Sequence, residues 1–81
     1  MARTYLVECY WPGVSEALLA ESMGIAARVD GVRHLESLLI PADEIVLAVF
    51  EASSTESVGE ATRAAALPCE RVIEIVRLAA P

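Results

Sequence analysis

The chain has no lysine, asparagine or glutamine. Its six basic residues are all arginine, against 12 acidic ones, for a net charge of −6. With no basic cluster it lacks the electrostatic footprint of a nucleic-acid binder or of a protein held on anionic membranes. Cysteine is scarce: Cys9 and Cys69 stand far apart, outside any C-x-x-C pair. That excludes a disulfide framework and gives no support to a structural zinc or redox motif. The longest unbroken apolar run, Ile45 to Phe50, is far too short to span a bilayer. No basic segment leads into an apolar stretch near the N-terminus, so no secretory signal is expected and the cytoplasm is the expected compartment. Gly-rich phosphate loops, H-E-x-x-H and G-x-S-x-G are all missing.

What the chain does have is apolar mass. Hydrophobic residues make up 56% of 81 positions, and the mean hydropathy is +0.50. Such a composition excludes disorder. The length allows one domain, residues 1–81. A chain this short buries only about 60% of its surface, yet it carries more apolar residues than one small core needs. A second copy is expected to cover the excess, which makes a homodimer the expected state.

Punctuation along the chain separates six elements. Arg3 to Tyr10 reads as a strand that ends before the turn signal Trp11-Pro12-Gly13. Ser15 then caps a helix to about Val29, with Leu18, Leu19, Ile25, Ala26 and Val29 at helical spacing. Asp30-Gly31 closes it, Gly31 serving as a left-handed C-terminal cap. Val32 to Ile40 and Ile45 to Glu51 form a hairpin around Pro41-Ala42-Asp43-Glu44. Ser53-Ser54-Thr55-Glu56 is a capping-box pattern that opens a second helix to about Leu67, stopped by Pro68. Arg71 to Leu78 is the last strand. The order is β-α-β-β-α-β, a ferredoxin-like α+β fold: a four-stranded antiparallel sheet with both helices on one face. The other face has nothing left to cover it, so two copies packed sheet to sheet, as a sandwich or barrel, would bury it.

Strand parity suggests what that face carries. If Ile40 faces Ile45, His34 lies opposite Glu51, Glu36 opposite Val49 and Leu38 opposite Leu47. Placing each strand's charge-bearing set outward collects Glu8, His34, Glu36, Glu51 and Glu74 on one apolar surface. Arg33 and Arg77 fall on the opposite parity. One imidazole and four carboxylates on a partly buried face suit either a divalent cation or acid–base work. The blander alternatives are a cross-strand pair of His34 with Glu51, and solvated Glu36 and Glu51 at strand ends. Cys9 and Cys69 share the helix-side parity and are expected as two buried thiols close to one another.

The segments "YLVE", "P-G", "G-V-R-H", "V-F-E-A" and "L-P-C-E-R-V-I-E-I" are similar to those of a family of small bacterial, actinobacterial proteins. Its function is largely unassigned, and it includes a nickel-binding protein with a dimeric ferredoxin-like fold. The resemblance implies a cytoplasmic homodimer that binds nickel or another divalent metal, with His34, Glu8, Glu51 and Glu74 at family-like positions. The chain departs from the family pattern at Thr62, where relatives carry His, and at Leu47 or Ala48, where they carry Cys.

Two functions follow as expectations. One is a dimeric binding protein holding a metal ion or small ligand through His34 with Glu8, Glu51 or Glu74. The other is a cofactor-independent isomerase, cyclase or monooxygenase with His34 as base and Glu8 or Glu74 as acid. A dimerisation module without a site is the third reading.

Overall fold

The computed structural model describes residues 2–80. Its elements are β1 (Arg3–Tyr10), α1 (Glu16–Ala26), β2 (Val32–Ile40), β3 (Ile45–Ala52), α2 (Thr55–Ala64) and β4 (Cys69–Ile75). The strands form one antiparallel sheet in the order β2-β3-β1-β4, the expected ferredoxin-like arrangement. Both helices lie on one face because alternate strand positions are apolar there. Tyr5, Val7 and Cys9 of β1 and Val46, Ala48, Phe50 and Ala52 of β3 form one core with Leu19, Met23 and Ala26 of α1 and Val58 and Ala61 of α2. Burying a side chain such as Phe50 or Val7 fully contributes roughly 1.5–3 kcal/mol.

The helix ends show which local signals held. The Ser15 hydroxyl accepts the Leu18 N–H at 3.1 Å, so α1 starts at the expected cap. It stops at Ala26 rather than about Val29, with Ala27 as a right-handed cap. Gly31 does adopt a left-handed φ of 80°, but in the turn into β2 and not as the helix cap. In α2 the cap is Ser54, not Ser53: its hydroxyl takes the Ser57 N–H at 3.2 Å and shares a hydrogen bond with the Ser57 hydroxyl. α2 stops at Ala64 rather than about Leu67. There the Ala66 N–H bonds the Arg63 carbonyl at 3.1 Å and the Leu67 N–H bonds the Thr62 carbonyl at 2.9 Å. This is a Schellman closure, which puts Ala66 at φ 53°. A side chain in that conformation costs about 1–2 kcal/mol.

Two irregularities reset the sheet. Between β2 and β3, His34 pairs with Phe50 while Glu36 pairs with Val49, so Leu35 is an extra residue without a partner. Between β1 and β4, Glu8 pairs with Arg71 while Cys9 pairs with Cys69, so Glu70 is the extra residue. Each bulge reverses side-chain parity on one side of itself. The last strand also begins at Cys69 and ends at Ile75, earlier at both ends than the expected Arg71 to Leu78. The hairpin turn is tied to the loop after β1: the Trp11 N–H bonds the Glu44 carbonyl at 2.8 Å and the Gly13 N–H bonds the Glu44 carboxylate at 3.1 Å.

Cys9 and Cys69 are register partners and both are free thiols, but only Cys9 is buried. The expectation of two buried thiols fails for Cys69, which begins an edge strand. Burial, then the neighbouring Cys69, Glu70 and Glu8, push the Cys9 thiol up to about 12. Burial and Glu70 also raise the Cys69 thiol, against a lowering backbone hydrogen bond from Arg71.

Two stability predictions follow. Ala66→Gly relieves the left-handed strain and raises stability by up to about 1 kcal/mol in urea unfolding. The second concerns alkaline pH. An ordinary thiol loses its proton near 9.0, whereas folded Cys9 keeps its proton to about 12. In that window the folded state binds the extra proton, so stability falls as pH rises, by at most about 1.4 kcal/mol per pH unit from this group. Denaturation at stepped pH detects the loss, and Cys9→Ala flattens it.

Candidate functional site

The uncovered sheet face is built from Leu6 and Glu8 of β1, Leu47, Val49 and Glu51 of β3, Glu36 and Leu38 of β2, and Arg71, Ile73 and Ile75 of β4. Three of the expected carboxylates are on it: Glu8, Glu36 and Glu51. Each faces an arginine. Arg71 Nε lies 3.3 Å from Glu8, and Arg33 Nη1 lies 3.9 Å from Glu51. Arg77 Nη2 donates to Glu36 at 3.1 Å. The Leu35 bulge puts Arg33 on this face, against the expected parity. These are partly exposed pairs, each worth about 0–1 kcal/mol, but together they neutralise the face.

Glu74 is not among them. It pairs with Tyr5 and shares the helix-side parity with Val72. The rule that charge marks the open face fails there because β4 is an edge strand. Beside the helices its side chain still reaches water, 57% exposed, with Arg3 Nη1 at 3.9 Å.

Arg77 follows β4 at one edge of the sheet, while Glu36 is on β2 at the other. Three strand spacings, about 14 Å, separate the edges. The chain after Ile75 therefore folds back across the open face. Beneath it Val49 is 6% exposed, whereas Val76 and Leu78 of the tail are 84% and 88% exposed.

His34 is displaced from the expected site. The Leu35 bulge turns it to the helix side, where its ring tilts against Phe50 at a centroid distance of 5.3 Å. Its Nε2 lies 2.8 Å from the Ser37 hydroxyl. Positions three apart on a regular strand point to opposite faces; the extra residue brings these two together. They line a groove of about 700 Å³ between α1 and β2, beside Leu19, Met23 and Leu39. The pairing of His34 with Glu51 is overturned, since Glu51 opposes Arg33. The structure does not bring His34 together with Glu8, Glu51 or Glu74, whether as metal ligands or as an acid–base pair. Among the described residues, no three His, Cys, Asp or Glu side chains converge as a metal site.

The groove pair was legible only in part. The single histidine was singled out, but Ser37 was not, because its approach to His34 needs a bulge that strand alternation does not announce. The pair contributes about 1 kcal/mol. A double-mutant cycle of His34→Ala and Ser37→Ala in urea unfolding should return a coupling near that value.

No protein-family model matches the chain, and no curated protein matches it in sequence. Its fold is similar to a crystal structure of SCO4226 from Streptomyces coelicolor A3(2). The TM-score is 0.83 at 16% identity, over 94% of this chain and 99% of that one. The likeness establishes a shared ferredoxin-like fold.

Proposed function

We propose that this chain is a small homodimeric binding protein whose two copies join through the uncovered sheet face. One observation carries the reading: an apolar sheet surface without a second layer, whose acidic residues are all matched by arginines. Leu38 and Tyr10 of this face are 52% and 49% exposed, and Val76 and Leu78 of the overlying tail are more so. The three carboxylates and three guanidiniums cancel, so the whole net −6 lies elsewhere on the molecule. Two copies can therefore approach there without bringing like charges together.

Between the sheets, Leu6, Leu38, Leu47 and Ile73 would enclose a chamber with carboxylate–guanidinium pairs in its walls. That chemistry suits a small organic molecule with an apolar body and a polar group. Nickel fits less well. With His34 on the far side of the sheet, this face offers only carboxylate oxygens, donors better suited to magnesium, calcium or manganese. Each carboxylate also already faces a guanidinium.

Native mass spectrometry tests the proposal. The expected mass is twice 8.7 kDa, and Leu47→Arg, checked for folding by circular dichroism, should run as a monomer. A wild-type monomer at tens of micromolar (about the range of weak dimers) overturns the dimer. Nickel retained in the wild-type spectrum and lost in Glu8→Gln would restore the metal reading over the small molecule.

A further inference from the structure

The groove between α1 and β2 opens mainly on the helix side of the sheet and shares with the proposed dimer face only Leu38, on the edge strand β2. We infer that it is a binding site for a small amphipathic amine, with an apolar body held along the groove and an ammonium group held by Glu16.

Its size comes first. About 700 Å³ falls within the usual range of small-molecule sites, about 300–1,000 Å³. Its walls have the matching chemistry. Leu19, Met23 and Leu39 supply apolar surface, and the thioether of Met23 adapts to irregular shapes. His34 and Ser37 supply a hydrogen-bonding pair at one place on the wall. Since each is already bonded to the other, the pair costs little to bury and keeps capacity for a ligand.

Charge selects the ligand class. Glu16, in the first turn of α1, lines the groove, and no arginine does. Elsewhere Glu8, Glu36, Glu51 and Glu74 each face an arginine. Among the described residues Glu16, like the seven other remaining acidic residues, makes no such pair, and it is the one of them that lines the groove. A cation entering the groove would meet a carboxylate without a competitor, in a protein whose net −6 attracts cations from a distance. An anion would meet the same carboxylate unfavourably.

Gly24 adds a third line. It sits in the last turn of α1, two residues before the helix ends at Ala26, where glycine is still a poorer helix former than alanine. A Cβ built on it meets nothing within 4 Å, and its φ is not in the left-handed range. Neither packing nor backbone conformation requires glycine there. The residue lines the groove, and any larger side chain would take up its volume.

Protein-observed NMR titration with 4-phenylbutylamine, against 4-phenylbutanol and 4-phenylbutyrate, tests the assignment. The amine should shift the amides of Leu19, Met23, Ser37 and Leu39 and bind about tenfold more tightly than either analogue. Glu16→Gln should remove that preference. Gly24→Leu should raise the thermal midpoint, since leucine is the better helix former, and abolish binding. Equal affinity for the butyrate, or undiminished binding in folded Gly24→Leu, overturns the proposal. So does a set of shifts confined to the sheet face.

Discussion

A strand shows its side chains to two faces in strict alternation, and one extra residue in β2 breaks that alternation. The faces taken by His34 and Arg33 depend on the break at Leu35. Below it, Glu36, Leu38 and Ile40 keep the register of a plain hairpin with Val49, Leu47 and Ile45. Above it, His34 and Arg33 exchange faces. The imidazole leaves the glutamates for the groove under α1, and a guanidinium takes its place beside Glu51. A bulge of this kind costs ladder pairing and is common beside functional sites, where it re-aims a side chain. In β2 it re-aims the molecule's one histidine onto Ser37.

The exchange also changes the character of the open face. With His34 there and Arg33 on the helix side, Glu51 would have faced an imidazole in place of a guanidinium, beside Glu8 and Glu36. With Arg33, Arg71 and Arg77 there instead, the face is apolar, charge-balanced and partly covered by its own C-terminal segment. Each of these partly exposed carboxylates faces an arginine of the same chain. The face is therefore compatible with a second copy of itself, while the groove opposite keeps an acidic residue that no arginine neutralises.

Much of the architecture was legible in the sequence. The strand and helix order, the hairpin around Pro41 to Glu44, the Ser15 cap and the division of β1 into a buried set and an open set all follow from spacing and turn chemistry. The details that failed have separate local causes. Helix ends depend on hydrogen bonds that several residues can satisfy, so Ser54 caps where Ser53 was the pattern match, and Ala66 takes a left-handed position without being glycine. The face of Glu74 depends on its strand being at an edge, where even the helix side is wet. The glutamates of the open face were found because charge among alternating apolar residues is visible in one dimension. Their arginine partners were not, because Arg33 changes face at the Leu35 bulge and Arg77 reaches Glu36 from beyond the end of β4.

The sequence by itself determined the fold class and the sheet with one face free of helices. These rest on periodicity and composition, which are local properties summed over many residues. Only the tertiary structure decided which face His34 occupies, which guanidinium meets each carboxylate, and that α1 and β2 leave a groove between them. A single unpaired residue reverses parity for its neighbours, and only the pairing of strands far apart in the chain reveals which residue is unpaired.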